Sequence, residues 1–207
     1  MSDFWNERFA APGVKYGTEP NAFLKAQAPR WLNGPAQRVL VPGDGEGRNG
    51  VWLAGLGHQV LAVDSAGVGL AKAADLAAQR GCAPRYATLQ ADLADWTPEA
   101  GTWDAVVLVY THLPAAQRTA VHRRLAEGLK PGGLLLLESF HPAQWTTLRG
   151  ASGGPRDVSM LCTVAQLDAD FAGLLTPVLA EEVETALDEG PGHQGRAFVS
   201  RWIGQRR

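Results

Sequence analysis

The chain has 207 residues, 45% of them hydrophobic and 19% charged, and carries a formal net charge of −2. That length suits a single domain and that apolar fraction fills a core, which excludes a disordered chain. Lysines and arginines scattered along a near-neutral sequence exclude the basic footprint that a nucleic-acid or anionic-membrane partner requires. Cys82 and Cys162 stand too far apart for a disulfide framework or a zinc motif, so they read as two reduced thiols. The opening "MSDFWNERFAAPG" lacks the basic start and apolar stretch of a secretory leader, and the longest apolar runs are far too short to span a bilayer. A cytoplasmic protein is expected.

In chain order, residues 1–35 form an aromatic-bearing segment (Phe4, Trp5, Tyr16, Phe23, Trp31) ahead of the first regular element. "RVLVP" (38–42) reads as a strand, and "RNGVWLAGLG" (48–57) as a short helix stopped by Gly57. "HQVLAVD" (58–64) is a second strand, "GLAKAADLAAQRG" (69–81) an alanine-rich helix, and "PRYATLQAD" a third strand. "DAVVLVY" (104–110) is apolar on both faces, as a central parallel strand must be. Pro114 suits the first turn of a helix running to about Leu129, "LKPGG" (129–133) turns the chain, and "LLLLES" (134–139) is a fifth strand. Residues 142–160 are rich in Gly and Ser and read as a lid-like loop. A helix in "TVAQLDADFAGLL" and a strand pair across "GPGHQG" complete the chain. This alternation predicts one doubly wound α/β domain over 1–207, its mostly parallel seven-stranded sheet ending in an antiparallel pair.

Ligands on such sheets lie outside the carboxyl ends of the strands. Those ends are Pro42–Gly47, Asp64, Asp92, Tyr110–His112 and Glu138–His141, so the chemistry-bearing residues collect at one edge. After the first strand, "VPGDGEG" places Gly43, Gly45 and Gly47 at alternate positions. Such a turn lets backbone N–H groups approach a ligand with no Cβ in the way. Asp64 follows Gly43 by 21 positions, close to the ~20 at which a carboxylate meets ribose hydroxyls. The pair points to an adenosine-bearing cofactor. The dinucleotide fingerprint needs its third glycine inside the helix, where this chain has Arg48, so the G-x-G-x-G spacing suits a cofactor without pyrophosphate. A tight turn with no ligand and an NAD(P)-dependent oxidoreductase are the alternatives at this point.

"VLVPGDGEGRN", "AVD" ending at Asp64, "ADLADW" (91–96) and "LKPGGLLLLE" (129–138) stand in the order and spacing of class I S-adenosylmethionine-dependent methyltransferases, which the chain resembles over about residues 16–200. "KYGTEPNAFL" (15–24), "YTHLP" (110–114), "ESFHPAQ" (138–144) and "GGP" (153–155) are similar to the branch holding tellurite-resistance and thiopurine S-methyltransferase-like proteins. The resemblance implies S-adenosylmethionine as cofactor and a small-molecule methyl acceptor, a thiol or a chalcogen oxyanion. It implies that Gly43, Gly45 and Gly47 pass the methionine part and the ribose, and that Asp64 takes the ribose hydroxyls. Asp92 and Leu93 would hold the adenine, Tyr110 would begin the segment beside the sulfonium, and Tyr16 and Thr18 would close over the cofactor. One position departs from the pattern. Val41 stands where such families usually carry an acidic residue, and Asp44 or Glu46 would then meet the cofactor's ammonium group. A fold that has lost catalysis and only binds the cofactor is the non-enzymatic alternative.

Methyl transfer asks the protein to align two groups, exclude water and remove a proton where the nucleophile carries one. Trp5, Tyr16, Tyr110, Phe140 and Trp145 could wall such a site or simply pack a core. His112 and His141, just past strands four and five, are candidate general bases or hydrogen-bonding loop residues. His58, His122 and His193 read as surface residues, and Arg149 and Arg156 as anion-binding or solvated loop side chains. No metal-ligand spacing is present.

Overall fold

The computed structural model describes residues 2–207. Seven strands make one mixed sheet in the order β3-β2-β1-β4-β5-β7-β6. The chain divides into two compact units, one running to Trp96 and including Glu189–Pro191, the other comprising Thr97–Asp188 and Gly192–Arg207.

In the first unit, α1 (Ser2–Phe9) and α2 (Ala22–Trp31) precede β1 (Arg38–Pro42). Asn21 caps α2 by accepting from the Leu24 amide at 2.9 Å. Then come α3 (Arg48–Gly55), β2 (Gln59–Asp64), α4 (Gly67–Gln79) and β3 (Tyr86–Gln90). The strands pair in parallel, Val41 opposite Ala62 and Val63 opposite Leu89. Pro84 and Arg85, the first two residues of the expected third strand, instead belong to a 3-10 turn (Ala83–Arg85), because Pro84 lacks the amide a ladder would need.

The second unit holds β4 (Trp103–Val109), α5 (Ala115–Glu127) and β5 (Leu129–Phe140). There follow α6 (Ala143–Thr146), α7 (Val164–Phe171), β6 (Leu175–Asp188) and β7 (Gln194–Arg206). β4 and β5 are parallel, while β7 runs antiparallel to both β5 and β6. "LKPGG" does not turn the chain ahead of the strand; it lies within β5. Trp103 pairs with Leu129 and Ala105 with Leu134, so the residues between bulge out of the ladder, with Gly132 at φ +79°. Thr163 and Gln166 form a reciprocal capping box at the start of α7. Among the described residues no helix is long and apolar enough to cross a membrane.

The glycine loop is compressed against α4. Gly47 has φ +88°, and a Cβ there would sit 2.5 Å from the Ala73 Cβ. Gly57 also has positive φ, +103°, yet its added Cβ would meet open space. Gly47→Ala should therefore cost about 3 kcal/mol, strain plus overpacking, against about 1–2 kcal/mol for the strain alone in Gly57→Ala. Urea denaturation of the two variants checks the difference, and equal losses would refute the packing constraint.

Candidate active site

In the first unit, Asp64 and Phe9 lie against the glycine loop. Gly43, Gly45 and Gly47 all adopt positive φ, at 69°, 56° and 88°. Asp64, at the end of β2 and 9% exposed, accepts the Gly45 amide on Oδ2 at 2.9 Å and the Ala66 amide on Oδ1 at 2.8 Å. A carboxylate offers about four acceptor positions, so this one is oriented by the loop and is chemically suited to the hydroxyls of a ribose. Glycine Cα faces beside a fixed acceptor fit a nucleoside-bearing ligand. Phe9, from α1, lies across the loop: a Cβ on Gly45 would come within 3.1 Å of its ring and one on Gly69 within 2.9 Å. Tyr16 accepts a hydrogen bond from Arg8 Nε at 3.0 Å, and the Lys15 amide donates to Glu46 Oε2 at 2.7 Å, which pins this segment to the loop. The Thr18 carbonyl accepts from Arg80. Asp92 is exposed and accepts the Ala94 amide, while Leu93 is buried.

Asp44 and Glu46 are both engaged inside the protein. Tyr86 donates its hydroxyl to Asp44 Oδ2 at 2.7 Å and Gly50 its amide to Oδ1 at 3.1 Å. Burial pushes the Asp44 carboxyl up to about 6, against the pull of those two donors. Glu46 binds Lys72 Nζ at 3.0 Å, and the same ammonium caps the carbonyls of Ala11 and Gly13. Arg48 is buried and lies 2.8 Å from Glu189, a contact that is an ion pair by distance without hydrogen-bond angles.

The second unit gathers an aromatic cluster behind Tyr110. This residue has φ +52°, an outlier for a bulky side chain, and such strain persists only where surroundings over-determine it. Its ring stacks on Phe140 with centroids 4.7 Å apart and meets His193 edge-on at 4.6 Å. Its hydroxyl donates to Glu138 Oε1 at 2.8 Å, and Glu138 Oε2 accepts from Arg201 Nε at 2.6 Å. Arg201 was not singled out in the sequence, and His193 was read as a surface residue; Glu138 stands among the strand ends, but its partner is 63 residues away. Phe140 belongs to a buried core cluster against which Trp145 packs. Gln144, fully buried, ties the lid-like segment down, donating to Ser152 Oγ and the Gly153 carbonyl, each at 3.0 Å, and accepting from the Phe198 amide at 2.9 Å. Arg149 and Arg156 are exposed.

The histidines differ from their sequence reading. His58, His122 and His193 are not surface residues: they are 4%, 2% and 6% exposed. His58 accepts the Gln37 amide, and His122 pairs with Asp170 at 2.9 Å, partners that only the fold supplies. His112 stacks on Phe140, and burial pulls its ring down to about 4, so it is neutral near pH 7. His141 accepts the Ala143 amide on Nδ1 at 3.0 Å, which leaves its proton on Nε2, 3.3 Å from Glu182. Among the described residues no three His, Cys, Asp or Glu side chains form a metal-binding group.

Residues 39–133 match the family model described as "Methyltransferase domain". The matched stretch is a little under half of the chain. Thiopurine S-methyltransferase of Pseudomonas putida strain GB-1 is 39% identical to it over 62 residues, 30% of this chain and 29% of that protein's length. The chain thus aligns with under a third of such curated relatives. Solved methyltransferase-fold structures match far more of it at low identity. A protein studied for the conversion of a disulfide bond into a thioacetal group during echinomycin biosynthesis superposes with TM-score 0.75 at 19% identity, covering 100% of this chain and 92% of its own. N-methyltransferase NodS from Bradyrhizobium japonicum WM9, in complex with S-adenosyl-L-homocysteine, gives TM-score 0.68 at 15% identity, covering 99% and 97%.

The buried Asp44 carboxyl makes a testable contribution to stability. Its pKa is raised from 3.8 to about 6, so the folded state holds its proton over a range where the unfolded chain has lost it. Stability must then fall as pH rises from about 4 to about 6, by on the order of 3 kcal/mol for this one group. In Asp44→Asn that slope should flatten, read as the difference between wild-type and variant unfolding free energies across pH 4–7. A parallel pair of curves would refute it.

Proposed function

We propose that the chain is an S-adenosylmethionine-dependent methyltransferase acting on a small-molecule nucleophile, a thiol or a chalcogen oxyanion, in the cytoplasm. The observation that carries the donor half is Asp64, oriented by the Gly45 and Ala66 amides beside glycine Cα faces. In this reading Asp64 takes the ribose hydroxyls, Gly43, Gly45 and Gly47 pass the ribose and methionine parts, and Asp92 and Leu93 hold the adenine. Tyr16 and Thr18 close that side. The bound donor supplies a methyl group already activated by its sulfonium. Asp44 and Glu46 are committed to Tyr86, Gly50, Lys15 and Lys72, so the ammonium group is met by other atoms, among which backbone carbonyls qualify chemically.

The acceptor class rests on two supports. The Pseudomonas relatives are named for sulfur methylation, and the echinomycin protein for work on a disulfide. The second support is the cluster of Tyr110, His112, Phe140 and His193, since apolar aromatic walls favour a soft nucleophile whose charge falls during transfer.

Calorimetric titration with S-adenosylmethionine, S-adenosylhomocysteine and NAD, followed by a methyl-transfer screen over thiols, chalcogen oxyanions, phenols and amines, tests both halves. Binding of NAD alone overturns the donor; turnover confined to amines or phenols overturns the acceptor. Asp64→Ala should weaken S-adenosylhomocysteine binding at least tenfold, given the ~1.5–3 kcal/mol carried by hydrogen bonds to a charged group. Unchanged affinity would remove Asp64 from the site.

A further inference from the structure

A thiol that is protonated at neutral pH must lose its proton as its sulfur attacks, and the two histidines expected to take that proton are poorly placed to do so. His141 has its Nδ1 lone pair filled by the Ala143 amide and its Nε2 proton directed at Glu182, so neither ring nitrogen accepts without breaking the turn it caps. His112 sits in an aromatic stack with Phe140 and Tyr110, and its Nε2 is buried with no hydrogen-bond partner.

We propose that Tyr110 and Glu138 form the proton relay of the methyl-acceptor site, with Tyr110 as the catalytic residue that meets the nucleophile and Glu138 as the positioning residue that receives the proton through it. The inference rests on the methyltransferase reading given above. Three features converge on it. Tyr110 holds a strained backbone at the strand end, with its ring fixed between Phe140 and His193. Its hydroxyl already donates to Glu138 Oε1 at 2.8 Å, and a phenol oxygen that donates its proton still accepts one. Glu138 is buried at 1% exposure, and its other oxygen is held at 2.6 Å by Arg201.

The step balances. The sulfur–hydrogen proton passes to Tyr110 Oη while the Tyr110 hydroxyl proton passes to Glu138 Oε1. The new sulfur–methyl bond forms from the nucleophile's electron pair, and the donor's sulfonium–methyl bond breaks with its pair left on the donor sulfur. Arg201 is not stranded when Glu138 becomes neutral, because its other arm reaches Glu181 at 3.3 Å. Glu138 also lines a small cavity shared with Thr111, Ser139 and His122.

The relay is needed only by a nucleophile that carries a proton. Tyr110→Phe keeps the ring stack and removes the relay oxygen; Glu138→Gln keeps the side chain's shape and removes its basicity. The test compares two acceptors at pH 7: 2-mercaptoethanol, a protonated alkyl thiol, and 4-nitrobenzenethiol, which is already a thiolate. Each variant should lose about 100-fold in kcat with the alkyl thiol and less than threefold with the thiolate, with S-adenosylhomocysteine affinity unchanged. Equal losses on both acceptors, or none on either, overturn the relay while leaving the methyltransferase reading intact. If wild-type protein binds S-adenosylhomocysteine yet methylates neither thiol, the sulfur acceptor falls and the relay falls with it. A loss of S-adenosylhomocysteine binding in Tyr110→Phe would reassign the residue to the donor side and also overturn the proposal.

Discussion

The close approach of the glycine loop to α4 is the constraint on which the first unit depends. With only Cα atoms at Gly47 and Gly69, the loop backbone lies against Ala73 and Gly45 at distances a side chain would forbid. That proximity brings the Gly45 amide to Asp64 and fixes the carboxylate's direction. It also leaves room for the Phe9 ring across the loop, and Lys72 of α4 reaches back to Glu46 and to two carbonyls of the N-terminal segment. A side chain at Gly47 would disturb all of these contacts together. The dinucleotide fingerprint gains close packing from a glycine within the helix; here Gly47, one place earlier, is the helix N-cap, and Arg48 turns to Glu189.

The second unit shows a different economy. Its polar groups are held in pairs across long sequence separations: Glu138 with Arg201, Asp170 with Arg118, Thr119 and His122, and Asp168 with Trp202. The two buried acids among them, Glu138 and Asp170, each have more than one donor or a cation, which is the condition under which charge is tolerated in an interior. The Asp170 carboxyl, against the cost of its burial, is held well below the ordinary carboxylate range by those donors.

Local pattern made much of the fold legible. Apolar runs such as "RVLVP" and "DAVVLVY" predict strands because both faces of a parallel sheet are covered, and the glycine triplet announces itself by composition. What the pattern could not carry were partners. His122 looks polar and solvent-bound until Asp170, 48 residues on, comes to its ring. Asp44 and Glu46 look like ligand-facing acids because nothing nearby in sequence says that Tyr86 and Lys72 will occupy them. "LKPGG" has the composition of a turn, and a bulge draws on the same residues, so only the pairing of Ala105 with Leu134 tells them apart. Tyr110 was legible as a strand-end residue, but its left-handed backbone and its bond to Glu138 were not.

Glu189 has an implication for how the chain is assembled. It lies in the loop between β6 and β7, yet it meets Arg48 at 2.8 Å and accepts both the Asn21 side chain and the Ala22 amide, 168 and 167 residues earlier. During vectorial synthesis the N-terminal unit therefore emerges with a guanidinium and a helix start that lack their anion until almost the entire polypeptide is made. Closures over such separations are slow, since their loop entropy is lost before any contact compensates it. The last turn of the chain is in effect the clasp of its first helices.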